Sequence, residues 1–141
     1  GTAMARRATY QFGFSLPVGA RGYVDTGLGK QPLAGTTSFA IPSDEVSQTP
    51  QEMDIDGVRF VFQYTPDSEA PAELAFYLPD KKLYLGAEIV NRTMHNLYTL
   101  RGTKVRDALK WSGYIDDAIQ RFPDVEIVAT AATELLLFDL A

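Results

Sequence analysis

Two carboxylates and one polar segment hold the chemistry this chain could perform. Glu69 lies in the loop Thr65-Pro66-Asp67-Ser68-Glu69-Ala70-Pro71-Ala72-Glu73, just after an apolar run that ends at Tyr64. Glu88 follows a second apolar run that ends at Leu85. Both carboxylates therefore fall beyond strand ends, where sites collect in layered α/β folds. Two carboxylates so placed would share a metal ion or divide the work of acid and base. The plainer alternative is a pair of solvated acidic loop residues.

The third feature is Asn91-Arg92-Thr93-Met94-His95-Asn96-Leu97-Tyr98-Thr99-Leu100-Arg101-Gly102-Thr103-Lys104-Val105-Arg106. An arginine presents a planar fork of donors that fits a tetrahedral oxyanion. Asn, Thr and Tyr add neutral donors. The segment reads equally as a polar surface loop leading into a helix. His95 is the only histidine and there is no cysteine. Thiolate nucleophiles, disulfides and a histidine-rich metal cluster are thereby excluded for this sequence.

The elements that must position these groups read as follows. Residues 1–13 suit a short helix, with Met4, Ala8 and Phe12 at helical spacing. Residues 16–36, rich in Gly and Pro, read as a long loop. Residues 37–42 suit a short strand. Asp56-Gly57 between apolar-alternating runs predicts a hairpin. After that turn Val58, Phe60, Phe62 and Tyr64 share one face, and Arg59, Val61 and Gln63 the other. A second hairpin joins Leu74–Leu78 to Lys82–Leu85 across Pro79-Asp80-Lys81. Residues 106–122 form an amphipathic helix with Trp111, Ile115, Ala118, Ile119 and Phe122 on its apolar stripe, stopped by Pro123. Val125–Ala129 suits a strand, and residues 134–138 suit either helix or strand. The expected class is α+β with α/β-type layers: a mixed or antiparallel sheet with hairpins and flanking helices, as a single domain over 1–141.

The balance of 141 residues, 45% hydrophobic and 22% charged, is that of a globular domain. Such a domain buries roughly two-thirds of its unfolded surface. A net charge of −5 argues against nonspecific nucleic-acid binding, which needs a basic face. It leaves room for a small anionic ligand at a local arginine cluster. No apolar run reaches the roughly 20 residues of a membrane span. Arg6-Arg7 is followed by Ala8-Thr9-Tyr10-Gln11-Phe12, which is not a signal-peptide core. The expectation is a soluble chain.

Several stretches together resemble the alkyl sulfatases of the metallo-β-lactamase superfamily. They are Pro66-Asp67-Ser68-Glu69-Ala70-Pro71, Ala87-Glu88, Met94-His95-Asn96-Leu97-Tyr98-Thr99-Leu100-Arg101-Gly102 and Val105-Arg106-Asp107-Ala108-Leu109-Lys110-Trp111-Ser112. Ala3–Tyr10 also looks like that family, and the resemblance runs to about residue 129. It implies part of a metallo-β-lactamase-like fold, the second half of the catalytic domain. It implies hydrolysis of long-chain alkyl sulfates with two zinc ions, Glu69 and Glu88 as metal ligands, and Asn96, Tyr98, Thr99, Arg101 and Arg106 around the sulfate. Arg6, Tyr10 and the glycine-rich loop would lie toward the substrate entrance.

The departures from the family matter as much. Its His-x-His-x-Asp-His motif is not in this sequence, and its later histidine segment is replaced by Ala129-Thr130-Ala131-Ala132-Thr133-Glu134. Two carboxylates do not match a histidine-dominated zinc site. The expectation is a hydrolase segment that is incomplete or inactive alone. The alternative is a noncatalytic binding or interaction module for an anionic amphiphile. The sheet's apolar face, including Phe60, Phe62, Phe76 and Leu85, would then seek a partner: a second copy or a complementing chain.

Overall fold

The computed structural model describes residues 2–24, 38, 40–91, 93–95, 97–99, 102, 104–130 and 136–137. The fold comprises two compact units, residues 1–42 with 98–105, and residues 43–97 with 106–141.

The first unit opens on α1 (Thr2–Gln11), as helical spacing predicts. Phe12 stacks on Phe14, and Phe14 meets Tyr23 edge-on with ring centroids 5.3 Å apart. A bridge between Val18 and Tyr23 ties off residues 18–23. Gly22 lies against the Pro17 carbonyl so closely that a Cβ there would come within 2.1 Å of it, so only glycine fits. Positions 25–36 of the glycine-rich stretch lie outside the described residues. Arg7 Nη1 donates to the Gly102 carbonyl at 3.4 Å.

The second unit is a mixed sheet in sequence order, β1 (Gln51–Ile55), β2 (Val58–Tyr64), β3 (Leu74–Leu78), β4 (Leu83–Leu85), β5 (Ile127–Ala129) and β6 (Leu136–Leu137). All neighbours are antiparallel except β4 and β5, which run parallel. The crossover between them carries α2 (Ala108–Arg121), as parallel neighbours require a long connection. Asp56 and Gly57 adopt φ of 53° and 77°, the positive values a two-residue hairpin turn demands. Asp54 Oδ1 accepts from the Gly57 amide at 2.9 Å and closes that turn. The second hairpin turns through one 3-10 turn at Pro79–Lys81 and a left-handed Lys82.

Two expectations need correction. Positions 38 and 40–42 form no strand, and 37 and 39 lie outside the described residues. Ile41 is 87% exposed and Pro42 cannot donate to a ladder; the edge strand starts instead at Gln51. The helix covers the sheet face of Val61, Gln63, Ala75, Tyr77, Tyr84 and Val128, the face opposite Phe60 and Phe62. Ala118 and Phe122 of α2 and its C-cap pack there with Ile89, and Trp111 and Ile115 lean on the same cluster. The Phe122 ring lies 4.9 Å from Tyr77 and 5.6 Å from Tyr84. Ile119, expected on the buried stripe, is 66% exposed. The opposite face carries a second aromatic cluster, Phe60, Phe62 and Phe76, with centroids 5.2–5.9 Å apart.

Candidate functional site

Glu69 sits in a loop held at several points. Thr65 N donates to the Glu73 carbonyl at 3.0 Å and Asp67 N to the Ala70 carbonyl at 3.0 Å. Ser68 Oγ, fully buried, donates to the Thr65 carbonyl at 2.8 Å. From α2, the Tyr114 hydroxyl donates to the Pro66 carbonyl at 3.0 Å and Lys110 Nζ pairs with Asp67 at 3.3 Å. The loop is thereby fixed to the helix, and Glu69 has little freedom to leave its position.

Glu88 is placed by the turn that leaves β4. Gly86 N continues the sheet to the Ala129 carbonyl at 2.9 Å, and Ile89 N closes back on the Gly86 carbonyl at 2.8 Å. Ala87 takes a φ of 46° inside this turn. Ile89 is 1% exposed and anchors the segment in the core. Its carbonyl accepts from Trp111 Nε1 at 2.8 Å, which ties the turn to α2. Glu88 itself stands at the solvent edge.

Arg106 immediately precedes the helix cap. Asp107 caps α2 by accepting from the Leu109 and Lys110 amides at 3.0 and 3.1 Å. Arg106 N donates to the Leu97 carbonyl at 2.9 Å. The guanidinium forms an ion pair with Glu69 through Nη2 and Oε1, with side chains only 12% and 14% exposed. Such a pair is screened far less than a surface one.

The carboxyl of Glu69 also lies close to that of Glu88. Its pKa is raised above the ordinary glutamate value. Burial is the main cause, and the neighbouring Glu88 carboxyl adds to it; Arg106 and, more weakly, His95 pull the other way. The His95 ring meets Trp111 edge-on at 5.7 Å. Glu69, Glu88, His95 and Arg106 thus form one electrostatic cluster at one end of the second unit.

Tyr98 and Thr99 belong to the first unit; Tyr98 is 53% exposed, and the Thr99 carbonyl accepts from Gly102 N at 2.8 Å. Asn96 and Arg101 lie outside the described residues. Sequence reasoning named Glu69, Glu88 and Arg106 but did not place His95 with them, nor Arg106 on Glu69. The sequence put His95 in the polar segment 91–106, but neither its spacing nor its uniqueness placed it beside Glu69.

Among the described residues, no three His, Asp or Glu side chains gather as a metal site requires. Of the two carboxylates in the cluster, one is already neutralised by a guanidinium. These residues by themselves do not fit a zinc centre, which takes four ligands rich in His or Cys.

No family profile matches the chain. Individual relatives do. A linear primary-alkylsulfatase of Pseudomonas sp. is 44% identical over 124 residues, covering 88% of this chain and 18% of the relative. An alkyl/aryl-sulfatase of Saccharomyces cerevisiae is 47% identical over 118 residues, 84% of this chain and 18% of the relative. The chain thus spans about 18% of the length of the curated relatives it matches. Among solved structures, a stereoselective inverting sec-alkylsulfatase from Pseudomonas sp. superposes with a TM-score of 0.76 at 37% identity, over 97% of this chain and 22% of that one. A B3 metallo-β-lactamase gives a TM-score of 0.55 at 17% identity over 70% of this chain and 45% of that one, a likeness of fold alone. By sequence and by fold, the chain corresponds to one segment of the alkylsulfatases, built on part of a metallo-β-lactamase-type fold.

Proposed function

We propose that this segment supplies oxyanion recognition to an alkylsulfatase-type hydrolase acting on alkyl sulfate esters. The observation that carries the reading is Arg106, a largely buried guanidinium set beside Glu69, Glu88 and His95. Its fork of donors matches two oxygens of a sulfate ester. In the same reading Asn96, Tyr98, Thr99 and Arg101 complete the sulfate's ligands, as the resemblance implies. The names of the relatives supply the substrate class, and the metallo-β-lactamase-type fold supplies the expectation of a metal.

Zinc would need ligands beyond those the described residues provide. Glu69 and Glu88 keep the ligand role the resemblance gives them only where further histidines join them. Hydrolysis therefore calls for a complementing segment or chain. Such a complementing chain, or a second copy, is the partner this reading calls for. Light scattering at micromolar concentration tests this; a mass of one 15.5 kDa chain would sink the dimer.

The test of recognition is calorimetric titration with inorganic sulfate and with octyl sulfate below its micelle concentration. Binding to the chain and its loss in Arg106→Ala are expected. Equal affinity in the variant would remove Arg106 from the site. A second reading, a noncatalytic module binding an anionic amphiphile, is favoured by the Arg106–Glu69 pair, which satisfies that carboxylate with no metal. Zinc content of the purified chain separates the two: stoichiometric zinc with sulfate-ester cleavage excludes the noncatalytic reading.

A further inference from the structure

We infer that Arg7 of α1 is a positioning residue for anion recognition: its guanidinium lies across Gly102 and holds in place the turn that begins at Thr99. This rests on the reading of Tyr98, Thr99 and Arg101 as sulfate ligands. Residues 98–105 leave the second unit after Leu97 and rejoin it at Arg106. The Arg106 amide donates to the Leu97 carbonyl at 2.9 Å and closes the neck of this excursion. Closing a loop at its neck fixes its ends and leaves its tip to other contacts.

Within the first unit, α1 supplies such a contact. The Gly102 amide donates to the Thr99 carbonyl at 2.8 Å, which draws those two residues together. Gly102 takes a φ of 80°, where L side chains are strained. Arg7 occupies the space beside its Cα: a Cβ on Gly102 would come within 2.3 Å of Nη1, 3.1 Å of Cζ and 3.5 Å of Cδ. The guanidinium and the end of its stem therefore rest on the glycine, and Nη1 also donates to the Gly102 carbonyl at 3.4 Å. Only a residue without a side chain lets Arg7 lie there. The contact is exposed and its hydrogen bond is long, so its worth is modest. Recognition still depends on it, because donors to an oxyanion lose strength when displaced by about 1 Å.

The experiment uses the 141-residue chain with Arg7→Ala, Arg7→Lys, Gly102→Ala and the Arg7→Ala/Gly102→Ala double variant. Two quantities are read: solvent exchange of the Gly102 amide by NMR, and inorganic sulfate affinity by calorimetry at constant ionic strength. Alanine is the better helix former, so Arg7→Ala leaves α1 intact. In Arg7→Ala, Gly102 exchange should rise and sulfate affinity fall, each by about threefold to tenfold, with exchange in β2 and β3 unchanged. Arg7→Lys keeps the charge without the planar fork and should leave the affinity lowered. Full rescue by lysine would assign the effect to charge and overturn the inference. Gly102→Ala attacks the same contact from the other side, so the double variant should lose no more than Gly102→Ala alone. Losses that simply add overturn the inference, since residues acting through one contact do not add. Unchanged Gly102 exchange in Arg7→Ala overturns it too. Sulfate affinity kept in Arg7→Ala but lost in Arg106→Ala overturns this inference alone and sustains the oxyanion reading. No sulfate binding by the native chain overturns both.

Discussion

The Tyr84 hydroxyl donates to Gln63 Oε1 at 2.6 Å, and both side chains are buried. The other end of the amide crosses to the helix, with Nε2 donating to the Tyr114 carbonyl at 2.9 Å and to Asp117 Oδ2 at 2.8 Å. Gln63 thereby bolts β4 and α2 to β2 from the middle of an apolar layer. Gln63→Leu keeps the volume and strands the Tyr84 hydroxyl in the core. The expected cost is about 2–3 kcal/mol, read from urea unfolding. A loss below about 0.5 kcal/mol would mean water reaches the site.

Trp111 joins the core to the Glu88 turn. It packs on the buried cluster and donates Nε1 to the Ile89 carbonyl at 2.8 Å. Trp111→Ala should cost about 3–5 kcal/mol. Trp111→Phe keeps most of the packing and removes the donor, so about 1 kcal/mol is expected. If the two variants unfold at the same denaturant concentration, packing is not the larger share.

Much of this arrangement was legible in the sequence, for stated reasons. The Asp56-Gly57 turn, the helix stopped before Pro123 and the strand ends before Glu69 and Glu88 follow from local backbone preference. Alternation separated the Phe60 and Phe62 face of β2 from the Val61 and Gln63 face, and α2 covers the latter; which face takes the helix is set by packing that alternation does not record. The burial of Gln63 was illegible because only its three partners, distant in sequence, make it tolerable. The Arg106–Glu69 pair spans separate loops, so spacing carries no sign of it.

Alkaline pH should weaken the fold through its buried tyrosines. Tyr77, 4% exposed, is pushed up to about 12, chiefly by burial and then by the Asp124 and Glu126 carboxylates. Tyr84 is raised as well, by burial and then by Asp117. In the unfolded chain a tyrosine releases its proton near pH 10, at about its ordinary value. Above that, the folded chain keeps protons the unfolded chain has lost, so stability falls as pH rises toward about 12. Below pH of about 10 the contribution is fully present. Unfolding midpoints taken across this window should decline, and Tyr77→Phe should make the decline shallower. An identical slope in the variant would assign the effect elsewhere.

The cap residue next to the site offers a test that joins stability to recognition. Asp107 accepts from the Leu109 and Lys110 amides and so fixes the first turn of α2. Replacing it by Ala should cost about 1 kcal/mol. Fraying there also loosens the backbone that carries Arg106, whose amide bonds to Leu97 just ahead of the cap. Under the oxyanion reading, Asp107→Ala should therefore weaken sulfate binding as well, while Asp107→Asn, which keeps a capping oxygen, should restore most of both. Lost stability with sulfate affinity unchanged would show that Arg106 is held by its partners and not by the helix start.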